Sequence, residues 1–162
     1  MKKIIYFIFL YIISFQSYSY AATGTGNAED LAYTIGDMAP TYGLTSQVRG
    51  MDEIDTDELT NVRRLLICCS TWGDGDQPDN AQELFDAISE LNIGSLTGIS
   101  YGVLAIGDSA FDLFCESGKE WDMVLEQKGA NRAVERIDCD TDYDDYADEW
   151  MSMALDVMKT IE

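Results

Sequence analysis

The chain has 162 residues, long enough for one domain with a sizeable core and too short for two typical domains. Its hydrophobic content of 46% is typical of a folded protein and argues against disorder. With 30 Asp and Glu against 10 Lys and Arg, its net charge of −20 disfavours nucleic-acid and strong membrane binding and favours basic protein partners.

The residue types also limit the chemistry. Histidine is absent, which excludes His-based catalytic triads and the commonest metal ligand. Cys68 and Cys69 are neighbours within a predicted strand, so their side chains should point to opposite faces of the sheet. Cys115 and Cys139 lack the spacing of metal ligands. We therefore expect free cysteines in a reducing compartment, no metal site and no catalytic residues.

The N-terminus allows two interpretations. Two lysines and the apolar residues 4–13 are typical of a secretory signal peptide, and residues 19–21 offer a cleavage site. The apolar run is too short for a membrane span. Residues 15–22, directly before a glycine-rich turn, could instead form the first strand of the domain. Cleavage after Ala21 would delete that strand, so the two interpretations exclude each other. We assign residues 1–14 to a leader and residues 15–162 to the domain.

Strands and helices then alternate along the chain. A helix should follow the glycine-rich turn and end near Pro40, and strands are predicted at residues 43–48, 65–69, 101–106 and 133–137. Helices are predicted at residues 78–91 and 117–128 and at the C-terminus. Counting a first strand near residues 15–22, this order predicts an α/β fold with a doubly wound, five-stranded parallel sheet between two layers of helices.

Three loops should share the carboxyl edge of that sheet, where open α/β sheets bind ligands. Residues 23–29 form a glycine- and threonine-rich helix start, which can bind an anion through backbone N–H groups. Glu29 replaces the third glycine of a dinucleotide motif, and no Walker lysine follows. The other two loops each carry an aromatic residue near glycines, Trp72 and Phe111. Together the loops predict a site for a planar ring with a phosphate tail.

These motifs resemble the flavodoxin-like FMN domains, and most of all the sulfite reductase flavoprotein, other diflavin reductases and MioC-type small flavodoxins. Residues 23–29 are similar to their phosphate loop, residues 70–81 to their inner flavin loop and residues 107–119 to their outer loop and following helix. Residues 138–140 resemble the turn after their last strand. Phe111 stands where tyrosine is usual, and the fifth strand lacks a long insertion, as in short-chain flavodoxins.

The resemblance implies FMN as the cofactor and gives each loop a role. Trp72 and Phe111 would flank the isoalloxazine, and Gly73 would present its carbonyl to flavin N5. The cofactor-binding residues implied are Thr23, Gly24, Thr25, Gly26, Asn27, Ala28, Ser70, Thr71, Trp72, Gly73, Ile106, Gly107, Asp108, Ser109, Ala110, Phe111, Asp112, Leu113, Phe114, Cys115 and Asp140.

The function implied is single-electron transfer between a basic NAD(P)H-dependent flavin reductase and an acceptor redox enzyme, by a cytoplasmic monomer. An electron carrier is favoured over a self-sufficient oxidoreductase. One alternative is an FMN-dependent NAD(P)H:quinone reductase or a detached FMN domain of a diflavin reductase. Another is a flavodoxin-like binding module without FMN. The acidity could serve solubility alone, and the leader leaves export or membrane tethering as the alternative location.

Overall fold

The computed structural model describes residues 8–11 and 26–162. Its strands are β1 (Ile8–Tyr11), β2 (Thr45–Val48), β3 (Arg64–Ser70), β4 (Ser100–Ile106), β5 (Asn131–Arg132) and β6 (Ile137–Cys139). Its α-helices are α1 (Gly26–Met38), α2 (Thr56–Leu59), α3 (Asp79–Glu90), α4 (Glu116–Gln127) and α5 (Asp144–Met158), with short 3-10 turns at Ala39–Tyr42 and Met51–Glu53.

The strands form one sheet in the order β2-β1-β3-β4-β5, and β6 also pairs with β4. Strand β3 is buried along its whole length, and its side chains alternate between two hydrophobic cores. One core packs α2, α3 and α4 against the sheet, and the other packs α1 and α5. This confirms the predicted three-layer α/β fold. Cys69 lies in the first core and Cys68 in the second, so the opposite orientation predicted for them is also confirmed.

Strand β1 differs from the prediction in place and direction. It lies within residues 1–14, the segment assigned to a leader, and it pairs antiparallel with both β2 and β3. The all-parallel sheet predicted is therefore wrong at this strand. An interior strand favours a continuous apolar run, and Ile8–Tyr11 supplies one. The strand predicted at residues 15–22 lies outside the described residues.

The predicted fifth strand, residues 133–137, is divided into β5 and β6. The backbone N–H groups of Ala133 and Val134 both donate to the Tyr101 carbonyl, at 2.9 and 3.2 Å, so two residues oppose one. Such a bulge interrupts the strand ladder. Two arginines, one on each side of the bulge, bond the Asp122 carboxylate of α4. Arg132 does so through Nε at 2.7 Å, and Arg136 through Nη1 at 2.7 Å. Within the described residues, the sheet therefore has six strands where five were predicted.

Candidate functional site

The carboxyl ends of three parallel strands meet at one edge of the sheet. Ser70 at the end of β3 pairs with Ile106 at the end of β4, and Ile106 pairs with Cys139 at the end of β6. The chain continues this arrangement beyond the strands, because Thr71 N donates to the Ile106 carbonyl at 3.1 Å and Gly107 N to the Cys139 carbonyl at 2.9 Å. The loops that follow these strands are therefore held side by side.

A cavity of about 360 Å³ lies between these loops and the start of α1. Its walls come from the start of α1, the loops after β3 and β4 and the segment after β6. The lining residues are Asn27, Ser70, Thr71, Gly73, Ile106, Gly107, Asp108, Phe111, Leu113, Phe114, Cys115, Thr141 and Tyr143. Most of the residues predicted for the cofactor site thus surround one space, and its volume is within the range of small-molecule sites, about 300–1,000 Å³.

The inner loop (residues 70–80) contains a tight hairpin of residues 72–76. Trp72 and Asp76 close it: Trp72 N donates to the Asp76 carbonyl at 3.0 Å, and Asp76 N donates to the Trp72 carbonyl at 2.8 Å. Gly73 has a φ of 50° and Gly75 a φ of 104°, angles that side chains rarely adopt. Gly73 lines the cavity, whereas Trp72 is half-buried and does not. The glycines therefore allow the turn that carries Gly73 to the cavity.

The outer loop (residues 107–115) presents an exposed aromatic at the cavity wall. A local turn shapes it, since Phe111 N donates to the Asp108 carbonyl at 3.0 Å and Ala110 N donates to the Asp108 carboxylate at 2.8 Å. The Phe111 side chain is 61% exposed. A large apolar side chain left this open beside a cavity is available to stack on a planar ligand. Ala110, Asp112 and Ser109 belong to the loop without lining the cavity.

Asp140 holds the outer loop from outside the cavity. Its carboxylate accepts hydrogen bonds from the Ser109 backbone N–H at 3.1 Å and from the Ser109 hydroxyl. A third bond comes from Thr141 N at 2.7 Å. These bonds, the Ser109 hydroxyl first, lower the pKa of Asp140 below its ordinary value. Asp140 was predicted to belong to the site, and its contacts place it as a tether of the outer loop.

The start of α1 forms the remaining wall. Asn27 lines the cavity and is exposed, whereas the Ala28 side chain is fully buried in the core shared with α5. Ala28 can therefore reach a ligand only through its backbone. A Cβ added at Gly26 would meet no atom within 4 Å, so this glycine is not required by close packing. Thr23, Gly24 and Thr25 lie outside the described residues.

Sequence reasoning missed Thr141 and Tyr143, which line the cavity after β6. The signal was their position: they follow the strand end that was already assigned to the same edge. Burial raises the pKa of Tyr143, and the neighbouring charge of Asp144 adds to the effect. The phenol is therefore neutral at physiological pH, as are the buried thiols nearby. Burial raises the pKa of Cys115 and of Cys69 to about 12 each.

All four cysteines are free, as expected from the sequence. Among residues 8–11 and 26–162, no group of three or more acidic, cysteine or histidine side chains could hold a metal ion. Within the same ranges, none of the helices has the length and apolar character that crossing a bilayer requires.

Comparison with known proteins gives concordant results. Residues 20–151 match the family model described as Flavodoxin. The sulfite reductase [NADPH] flavoprotein alpha-component of Vibrio vulnificus (strain CMCP6) is 36% identical over 138 residues, covering 85% of this chain and 22% of the relative. The same component of Bacillus subtilis (strain 168) is 39% identical over 131 residues, covering 81% of this chain and 22% of the relative. The chain thus spans about a fifth of the length of these curated relatives.

Solved structures share the fold. The flavodoxin of Streptococcus pneumoniae TIGR4 superposes with a TM-score of 0.77 at 24% identity, covering 89% of this chain and 97% of that one. A short-chain flavodoxin associated with a bacterial microcompartment gives a TM-score of 0.75 at 20% identity, covering 90% of this chain and 98% of that one.

Proposed function

The chain belongs to the flavodoxin family, and from this premise we propose that it binds FMN non-covalently in the cavity at the carboxyl edge of the sheet. Flavodoxins are FMN-binding electron-transfer flavoproteins. The observation that carries the proposal is the cavity of about 360 Å³ between the inner loop, the outer loop and the start of α1. The 61% exposed Phe111 at its wall fits a planar ring.

Each wall of the cavity suits one part of FMN. Residues 23–28 would bind the phosphate, because the N-terminal N–H groups of α1 can donate to an anion. Trp72 and Phe111 would flank the ring system, and the loop backbones around Gly73 and Gly107 would meet its polar edge. A Cβ at Gly107 would lie 2.8 Å from Cys115 N, so the backbone at this wall is already in close contact. These residue roles extend the family assignment to individual positions.

FMN, when bound, supplies one-electron redox chemistry. The protein's part would be to bind and orient the cofactor and to limit its contact with water. Burial keeps the Cys115 thiol and the Tyr143 phenol of the cavity wall protonated near neutral pH, so neither would act there as a base.

We further propose that the chain passes electrons from an NAD(P)H-dependent reductase to an acceptor enzyme in the cytoplasm. The net charge of −20 favours a basic docking surface on the reductase. The free cysteines suit a reducing compartment. A second candidate is the role of the FMN domain in a diflavin reductase system. It is favoured by relatives described as sulfite reductase [NADPH] flavoprotein, of which this chain spans 22%.

Titration of the purified, flavin-free protein with FMN and with riboflavin, followed by flavin fluorescence, tests the proposal. FMN should bind stoichiometrically and more tightly than riboflavin, because only FMN engages the helix N-terminus. Equal affinities would contradict the assignment of residues 23–28, and no binding would contradict the function.

Anaerobic mixing with NADPH separates a carrier from a self-sufficient reductase. The visible absorbance of the bound FMN should persist with NADPH alone and bleach when a flavin reductase is added. Bleaching by NADPH alone would identify a self-sufficient reductase.

A further inference from the structure

Ser117, in the first turn of α4, connects the two loops that border the cavity. It is fully buried, and each of its polar groups bonds a residue at one end of the hairpin of residues 72–76. Its N–H donates to Thr71 Oγ1 at 3.2 Å, and its hydroxyl donates to Gln77 Oε1 at 2.8 Å. Its carbonyl accepts from Gln77 Nε2 at 3.3 Å. We call Thr71, Gln77 and Ser117 the clasp.

The clasp supplies a helix cap from a distant part of the chain. The first N–H groups of a helix have no partner within the helix. Cys115, the N-cap residue of α4, has a φ of 54° and makes no capping bond with its side chain. Thr71 provides the missing acceptor for Ser117. The start of α4 directly follows the outer loop, so the clasp ties the inner loop to the end of the outer loop.

Gln77 makes this connection costly to break. It is only 7% exposed, and its Nε2 also donates to Glu120 Oε2 at 2.8 Å. Loss of a partner would leave a buried polar group unsatisfied, which costs more than the bond itself contributes. The two loops also touch directly: a Cβ at Gly75 would lie 2.6 Å from Leu113 Cδ1. The inner and outer loops are therefore held at a defined separation.

We propose that Ser117 and Gln77 are positioning residues that set the separation of the inner and outer loops at Gly73 and Phe111, and so the width of the slot for the flavin ring. This inference rests on the proposed function. Neither residue lines the cavity, so both would act through the loops that they hold. The clasp concerns the ring and not the phosphate, because its bonds join the inner loop to the start of α4, directly after the outer loop.

Two variants each remove part of the clasp. Ser117→Ala removes the hydroxyl, and Gln77→Leu removes all three Gln77 bonds at similar volume. Dissociation constants for FMN and riboflavin should both rise by the same factor, about 3- to 10-fold, as expected for loss of one or two buried hydrogen bonds. Flavin fluorescence at saturation should also rise, because a wider slot stacks the ring less closely on the aromatic side chains.

Hydrogen exchange on the flavin-free protein shows whether the clasp holds the hairpin of residues 72–76. The amides of Gly75 and Asp76 both donate to the Trp72 carbonyl, at 3.0 and 2.8 Å, and close the hairpin. Both amides should exchange faster in either clasp variant. Urea denaturation of each variant shows whether it is folded before flavin is added.

Two control variants lose a serine and a glutamine hydrogen bond outside the site. Ser46→Ala removes a 2.8 Å bond from a serine hydroxyl on β2 to the Gly36 carbonyl, and Gln82→Leu removes a 2.8 Å bond to Asp86 on the surface of α3. Both should keep the wild-type flavin constants, saturated fluorescence and hairpin exchange.

Four outcomes would overturn the inference. Clasp variants that match the controls would show that the clasp has no effect on the site. Faster exchange with unchanged riboflavin affinity would limit the clasp to local stability, and a loss of FMN affinity alone would place its effect at the phosphate. Wild-type protein that binds neither flavin would overturn the proposed function first, and the inference with it.

Discussion

The inner and outer loops border the same cavity, but they are held by hydrogen bonds in different surroundings. Ser117 and Gln77, which hold the inner loop, are 0% and 7% exposed. Ser109 and Asp140, which hold the outer loop, form their bonds at the exposed surface. Buried hydrogen bonds are protected from competition by water, whereas exposed ones are weakened by it. We therefore expect a rigid inner loop and an outer loop that responds more readily to pH and to ligand.

The largest effect should come from a change that displaces α4 and so disturbs both loops together. A Cβ at Gly118 would lie 2.3 Å from the Ala105 Cβ in β4, a contact that the sheet cannot easily relieve. Gly118→Ala should lower the free energy of unfolding of the flavin-free protein by about 1–3 kcal/mol, the usual range for overpacking. Urea denaturation measures it. Gly26→Ala is the matched control, because open space surrounds Gly26; an equal loss in both variants would contradict the packing argument.

Replacing the exposed aromatic of the outer loop should separate binding from stability. Phe111→Ala should weaken FMN binding by about 2- to 10-fold, the range expected from loss of an aromatic stacking contact. The free energy of unfolding of the flavin-free protein should change by less than about 0.5 kcal/mol, because the side chain is 61% exposed.

Phe111→Tyr keeps the ring and should retain wild-type affinity in the same fluorescence titration. Unchanged FMN affinity in Phe111→Ala would show that this wall does not contact the flavin, and would weaken the distinction between a binding outer loop and a rigid inner loop.

The smallest effect concerns pH and the Asp140 tether. Hydrogen bonds from Ser109 lower the pKa of Asp140 in the folded protein, so the tether is fully present above the unfolded pKa of about 3.9 and is lost as pH falls through the lower folded value. At pH 7, Asp140→Asn should therefore bind riboflavin roughly a few-fold more weakly than wild type, the effect expected of a weakened exposed hydrogen bond. The difference should shrink at acidic pH, where wild type also loses the ionised tether.

Riboflavin is the suitable probe for this titration because its lack of a phosphate removes a second titrating group. Asp142→Asn removes the same charge from a neighbouring exposed position and should bind as wild type does throughout. A pH-independent difference between wild type and Asp140→Asn would indicate that ionisation of Asp140 does not hold the outer loop.

Local patterns in the sequence predicted the parts of the fold that depend on periodicity and turn chemistry. The apolar runs of β3 and β4, the helices between them and the glycine loops after them are all readable from neighbouring residues. Parallel strands carry their following loops to one edge, so the residue order alone was enough to expect the loops that carry Trp72 and Phe111 at a common edge of the sheet. The two missed cavity residues, Thr141 and Tyr143, follow the same rule one strand later.

Tertiary structure alone decided which distant polar groups meet. Ser117 pairs with Thr71 and Gln77 across 40 or more positions, and nothing in the sequence around any of them indicates the pairing. The division of the fifth strand likewise depends on Tyr101, which offers one carbonyl to two residues of the bulge. The physical reason is that hydrogen bonds have short range and strict geometry. The sequence determined the order of elements and the loops that form the site, whereas the docking of α4 on the sheet determined which of their atoms could bond.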